Sequence, residues 1–141
     1  MLARITPSPL KGTVPAIASK SMAHRLIICA ALANGATHVT CNTTCADIEA
    51  TVRCLTALGA RIETVEDGFQ VHPTMKSVEF GLLKALAGGT LDCGESGSTL
   101  RFMLPVACAL GAEATFVGQG RLGARPLSPL SDEIIAAGCD L

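Results

Sequence analysis

The stretch Ser19-Lys20-Ser21-Met22-Ala23-His24-Arg25 has a near copy at Ser96-Gly97-Ser98-Thr99-Leu100-Arg101, and the reading of the fold turns on this pair. Each copy leads into an apolar run. At the same distance behind each arginine stands a Gly-Ala pair, Gly35-Ala36 and Gly111-Ala112. A serine before an apolar run marks a helix start, and Ser21 and Ser98 are the expected N-caps. Both arginines then fall in a first helical turn. Partial positive charge gathers there, so a cation costs roughly 0.3–1 kcal/mol unless an anion offsets it. Two such placements point to a phosphate or carboxylate at these helix starts.

The repeat extends outward from the pair. Aligning Arg25 with Arg101 also matches Ala31 with Ala107 and Ala33 with Ala109. After a small insertion, Leu58-Gly59-Ala60-Arg61-Ile62 matches Ala137-Gly138-Cys139-Asp140-Leu141. Each unit reads helix, strand, helix, strand. The first continues through the turn Glu66-Asp67-Gly68 into a hairpin, while the second stops as its strand begins. The expectation is a fragment of a longer protein. Chance similarity between Ala-rich helices is the alternative.

Hydrophobic spacing and caps predict four helices. The first runs from Ser21 to about Ala33 and stops at Gly35. It is apolar almost all round and should be buried on most sides. The second covers about Asp47–Leu58 with Gly59 as C-cap, and Glu49 and Arg53 should pair across one turn. The third covers Ser98 to about Leu110 before Gly111, with Pro105 expected to bend it or free a carbonyl. The fourth runs from Ser128 or Pro129 to about Ala137 before Gly138. Strands are expected at Thr37–Cys41, Arg61–Val65, Phe69–His72, Gly89–Cys93 and Ala114–Val117. Residues 2–6 and 12–14 are candidate strands without an identifiable partner.

A chain of 141 residues is one domain at most, and it is long enough to bury a core. Hydrophobic residues make up 49% of it, yet it has no Trp or Tyr and only 4 Phe, so Ala, Leu, Ile, Val, Cys and Met must fill the interior. A net charge of -1 with few aromatics provides neither the basic field nor the stacking platform of a nucleic-acid binder. The 7 cysteines include no CxxC pair, and no His or further Cys follows Cys41 and Cys45 at a zinc spacing. Cys29, Cys54 and Cys108 lie in apolar helical runs. Most cysteines read as reduced core residues of a cytosolic protein. No signal-peptide pattern opens the chain, and the apolar run Leu26–Ala33 is far too short to span a bilayer.

Three stretches carry chemistry. A phosphate needs cations, hydroxyls and free backbone N–H groups in one pocket. Lys20 offers a point charge, Ser21 a hydroxyl and Arg25 a planar fork. Gly97 permits close approach to the backbone, and Arg101 repeats Arg25. Arg121 and Arg125 form a third basic loop before the fourth helix. The plain alternatives are ordinary caps and solvated cations. His24, His38 and His72 form no constellation, and Asp47, Glu49 and Glu95 have no assigned role. No nucleophile–base pair emerges: the chain reads as half of an anion site.

SKSMAHRLIICAALANG, DCGESGSTLRFMLP and FVGQGRLGARPLSPL, in that order, resemble the N-terminal part of the EPSP synthase (3-phosphoshikimate 1-carboxyvinyltransferase) family over essentially the whole chain. The resemblance implies transfer of the enolpyruvyl group of phosphoenolpyruvate to the 5-hydroxyl of shikimate 3-phosphate, with release of phosphate. This reaction serves chorismate and aromatic amino acid synthesis. It implies an α/β fold of repeated βαβαββ units, an inside-out α/β barrel, with about two of the three units of one domain present. Residues 1–15 would be strands packing in the other domain, and 16–141 an incomplete N-terminal domain. Lys20 would contact both substrates, Ser21 and Arg25 shikimate 3-phosphate, and Gly97 and Arg125 phosphoenolpyruvate, for which glyphosate would compete. Arg101 matches a family arginine without an assigned ligand contact. The acid and base would lie beyond Leu141, so no catalytic residue is expected in this stretch.

The resemblance further implies a cytoplasmic enzyme with no cofactor, metal, nucleic-acid or membrane partner. The intact enzyme would be monomeric, and self-association stays open for a fragment. Ile17-Ala18, His24 and Glu95-Ser96 depart from the family's usual Pro-Gly, Asn and Asn-Ala. These departures put the loop shape and glyphosate sensitivity in question. The related UDP-N-acetylglucosamine enolpyruvyl transferase, usually Lys-Asn at Lys20-Ser21, and a non-catalytic phosphate-binding module are the competing readings.

Overall fold

The computed structural model describes residues 2–73 and 89–141. Among these, the elements follow the order α1 (Lys20–Ala31), β1 (Thr37–Thr40), α2 (Ala46–Ala57), β2 (Arg61–Val65), β3 (Gly68–His72), β4 (Gly89–Asp92), α3 (Gly97–Ala109), β5 (Ala114–Val117) and α4 (Leu130–Ala136). A short 3-10 turn, Leu122–Ala124, lies in the loop after β5. The expected α/β class and the alternation of helices and strands are present.

The strands form two sheets. One is antiparallel in the order β1-β3-β2, and the other is a parallel pair, β4 and β5, joined by the α3 crossover. The hairpin forms where Glu66-Asp67-Gly68 predicted it, with Val65 opposite Gly68. Gly68 is required there by close approach: a Cβ would collide with the Val39 carbonyl and the Cys41 amide of the facing chain.

The repeat is visible in how helices end. α2 closes with Ala60 N donating to Leu55 O (3.0 Å) and α4 with Cys139 N donating to Ile134 O (3.3 Å). The intervening Gly59 and Gly138 have φ of 98° and 91°. Both are Schellman-type ends, in which only glycine takes the left-handed position without cost. Gly111 closes α3 in the same way, with φ 62°. Gly35 does not: α1 ends at Ala31 with Leu32 as C-cap, and Gly35 lies outside the left-handed region. The expected stop at Gly35 therefore moves upstream.

The core is built from the expected residue types. Ile27 of α1, Leu55 of α2, Met103 of α3 and Leu91 of β4 are fully buried, with Val71 of β3 beside them. α1 is less enclosed than its composition predicts. Met22, Leu26 and Cys29 share one helical stripe, and all three are exposed. Cys29 therefore leaves the set of core cysteines, while Cys54 and Cys93 are buried with sulfurs 4.0 Å apart. All seven cysteines are free. The Cys93 thiol, and then burial, hold the Cys54 thiol well above its ordinary pKa. Arg53 does not bond Glu49. It reaches across to Asp92 of β4 (3.5 Å) and ties α2 to the second sheet. α3 runs through Pro105 without a break.

Residues 2–17 form neither strand nor helix, and Leu2, Ile5, Leu10 and Val14 stand exposed. The strands considered at 2–6 and 12–14 are thus not observed. A strand needs a ladder partner, and no described edge supplies one. Residue 1 lies outside the described residues. No helix is long and apolar enough to cross a membrane among the described residues.

Candidate functional site

The starts of α1, α2 and α3 meet on one side of the core. The caps lie upstream of the expected serines. Ser19 has an extended backbone (φ -69°, ψ 112°), and its Oγ accepts from Met22 N at 3.4 Å. Ser96 Oγ accepts from Thr99 N at 3.1 Å. Ser21 and Ser98 therefore lie inside the first turns, and Arg25 and Arg101 move into the second. The charge of a helix end fades within one turn, so the electrostatic penalty inferred from the sequence is smaller than expected.

Helical side chains lean toward the N-terminus, which brings both guanidinium groups back over the first turn. Arg25 Nη1 donates to Ser21 O (2.8 Å), and Arg101 Nη1 donates to Gly97 O (3.2 Å). The repeat thus extends to equivalent hydrogen bonds in its two copies.

A cleft of about 560 Å³ opens between these helix starts. Lys20 enters from α1, Asp47 from α2 and Glu95 from the turn after β4. Gly97, Ser98, Arg101 and Phe102 come from α3, and Arg125 from the loop before α4. Three cations and two carboxylates thus share one open concavity. Lys20 Nζ lies 2.7 Å from Asp47 Oδ2. That hydrogen bond, and then the carboxylate charge, raise the lysine pKa and keep the ammonium charged. Arg101 Nη2 donates to Pro126 O (2.8 Å), which anchors the Arg125-Pro126 stretch beside α3.

Gly97 sits beneath both fork-shaped cations. A Cβ there would lie 2.7 Å from Arg125 Nη1 and 2.9 Å from Arg101 Nη1. The glycine brings two guanidinium groups close to the α3 backbone at the N-terminal end of its dipole. An oxyanion placed there meets charge-assisted donors and helix amides together. Glu95 folds its carboxylate against Gly120, whose φ of 56° favours glycine.

The structure brings Lys20, Gly97 and Arg125 into one cleft and adds Arg101, which the sequence reading left without a contact. Ser21 and Arg25 lie on the adjoining face of α1, outside the lining. Arg25 stacks its guanidinium carbon 4.8 Å from the centre of the Phe102 ring. Arg121 precedes the 3-10 turn, also outside the lining.

His24 joins no other histidine, as expected, and takes a structural place in the core. It is fully buried, with Nδ1 2.8 Å from Thr51 Oγ1, and Thr51 Oγ1 is 2.9 Å from Thr99 Oγ1. Burial lowers its pKa against the opposing pull of Asp47, so the ring is held neutral. The available sequence signal was Thr51. It shares the apolar stripe of α2 with Ile48 and Leu55, a place where a hydroxyl needs a partner.

Comparison with known proteins points to one family. Residues 5–141 match the family described as EPSP synthase (3-phosphoshikimate 1-carboxyvinyltransferase). A 3-phosphoshikimate 1-carboxyvinyltransferase of Clostridium beijerinckii is 43% identical over 124 residues, covering 88% of this chain and 28% of the relative. That of Clostridioides difficile is 42% identical over 129 residues, covering 88% and 29%. The structure of EPSP synthase from Acinetobacter baumannii superposes with a TM-score of 0.71 at 26% identity, covering 92% of this chain and 28% of that one. The chain spans a little over a quarter of the length of the curated relatives it matches. The match favours this family over the related UDP-N-acetylglucosamine transferase and over a non-catalytic phosphate-binding module. The chain belongs to the EPSP synthase (3-phosphoshikimate 1-carboxyvinyltransferase) family.

Proposed function

We propose that this chain supplies the anion-binding half of an enzyme that transfers the enolpyruvyl group of phosphoenolpyruvate to the 5-hydroxyl of shikimate 3-phosphate. The observation that carries this reading is the cleft in which Lys20, Gly97, Arg101 and Arg125 converge from separate elements. Ser21 and Arg25, on the face next to Lys20, receive the phosphate of shikimate 3-phosphate. Gly97 and Arg125 receive phosphoenolpyruvate, and Lys20 stands between the two ligands. Lys20 and Arg125 stabilise carboxylate and phosphate charge as phosphate leaves, an effect that grows as water is excluded.

The reading also places residues 16–141 in an incomplete N-terminal domain and residues 1–15 in contact with a second domain. Proton transfer is assigned to that second part of the enzyme, so the 141 residues alone do not turn over. A monomeric, cytoplasmic enzyme follows from the same reading, and seven free cysteines are compatible with a reducing compartment.

The test is a titration of the chain with shikimate 3-phosphate, followed by NMR. Shifts of the Ser21 and Arg25 amides support the reading. Unchanged signals at millimolar ligand would overturn it. Phosphate release by the isolated chain from both substrates would overturn the division of labour.

A further inference from the structure

A line of buried polar atoms runs beneath the cleft and touches all three helices that form it. His24 of α1, Thr51 of α2 and Thr99 of α3 are fully buried, and Ser96 is 2% exposed. Thr99 Oγ1 is the junction. It lies 2.9 Å from Thr51 Oγ1, 2.8 Å from Ser96 Oγ and 3.0 Å from Asp47 O. At the far end His24 Nδ1 meets Thr51 Oγ1, and His24 Nε2 is buried without a partner among the described residues.

Counting protons gives the line a direction. With the proton on Nδ1, His24 donates to Thr51, Thr51 donates to Thr99, and Thr99 donates to the Asp47 carbonyl. The same Thr99 hydroxyl reaches Ser96 Oγ as its other acceptor, and Ser96 Oγ also caps α3. Each hydrogen from His24 through Thr99 then has an acceptor, and the lone pair of Nε2 is left over. With the proton on Nε2 the line reverses and leaves a buried N–H without an acceptor among the described residues. Orphaned buried N–H groups are rarer than under-used acceptors. The first arrangement is therefore the favoured one, and it uses the tautomer with the proton on Nδ1.

We propose that His24, Thr51, Thr99 and Ser96 form a one-way hydrogen-bond chain that sets the spacing between the starts of α1 and α3, and so positions Lys20 against Gly97 for a ligand spanning both. A buried network with every donor placed locks its rotamers, and partial loss is costly. Lys20 lies one turn before His24, and Gly97 directly follows Ser96. A shift of one helix against the other changes the span between them. These are positioning residues that touch no ligand themselves. The inference rests on the anion-site reading above and deepens it: a ligand held from α1 alone should be indifferent to the chain, whereas phosphoenolpyruvate, gripped from both helices, should depend on it.

The experiment has two parts on the 141-residue chain. Long-range 1H–15N correlation reports which nitrogen of His24 carries the proton. Nδ1 is expected, and Nε2 overturns the proposal. Phosphoenolpyruvate and shikimate 3-phosphate are then titrated into the parent, Thr99→Val and Thr99→Ser. Thr99→Val replaces the hydroxyl with a methyl group, and it should weaken phosphoenolpyruvate about fivefold or more, the scale set by losing one buried hydrogen-bond partner. Shikimate 3-phosphate should stay within about twofold, and Thr99→Ser should restore the parent behaviour. A folded Thr99→Val that binds phosphoenolpyruvate like the parent overturns the positioning role. A parent that responds to neither ligand fails differently, because it removes the anion-site reading itself.

Discussion

Lys20 Nζ sits 2.7 Å from Asp47 Oδ2, so the first cation of α1 is already held by the first turn of α2. The contact joins two elements whose own positions are set by the core below. It also determines how much positive charge the cleft offers an anion. An arriving phosphate or carboxylate must compete with Asp47 for the ammonium.

Asp47→Asn should therefore tighten anion binding. It removes one negative charge from the lining and frees Lys20. The pair is half exposed and screened by salt, so the expected gain is about two- to fivefold in affinity for phosphoenolpyruvate. NMR titration at low and high salt measures it, with a steeper salt dependence in the variant. Weaker binding in Asp47→Asn would show that Asp47 aids the ligand and does not compete with it.

Gly97→Ala separates binding from stability. The new methyl group would displace the Arg125 and Arg101 guanidinium ends. Both are flexible tips, and alanine favours a helix over glycine, so stability should change by less than about 1 kcal/mol. Phosphoenolpyruvate affinity should fall about tenfold as the fork moves away from the α3 start. Chemical denaturation and ligand titration of the same variant test the two halves of this statement.

Gly68→Ala should do the reverse. Its Cβ meets backbone atoms of Val39, held in the β1–β3 ladder, and of Cys41, whose amide is bonded to Asp67 O, and neither can rotate aside. A loss of at least about 2 kcal/mol is expected in urea unfolding, combining the clash with an unfavourable φ. Gly68 does not line the cleft, so variant protein that remains folded should keep its anion affinity.

The buried His24 gives stability a pH dependence of known sign. Its pKa is lowered in the fold, chiefly by burial. The unfolded chain takes up a proton near the ordinary value of about 6.5, while the folded chain resists it. The stabilisation is therefore complete above that pH and declines as pH falls through the folded-state pKa. His24→Asn, which keeps a polar partner for Thr51 and cannot titrate here, should flatten this part of the profile. Denaturant midpoints from neutral to mildly acidic pH would show it. Equal slopes in parent and variant would assign the titration to another group.

Much of the fold was legible because local chemistry and tertiary packing agree. Glycine in the left-handed position after α2, α3 and α4 closes each helix wherever it stands, and Glu66-Asp67-Gly68 makes a hairpin on its own terms. The caps were misread for a physical reason. Either of two neighbouring serines can cap a helix, and the choice falls to the one whose Oγ reaches a free amide once the chain is packed. Ser19 and Ser96 do so. α1 is buried on fewer sides than expected because Met22, Leu26 and Cys29 stay exposed: composition states only that a face is apolar and does not supply a neighbour to cover it.

The amino-acid sequence by itself determined the repeat, the α/β class, the cations Lys20, Arg25, Arg101 and Arg125, and the family. These are carried by residue identity and spacing along the chain. Tertiary structure alone decided that Lys20 pairs with Asp47, that Arg25 leans on Phe102 outside the cleft, and that His24 ends a buried line through Thr51 and Thr99. The atoms in those contacts come from different helices. Their distances depend on how the helices pack around Ile27, Leu55 and Met103, and that packing is a property of the assembled core.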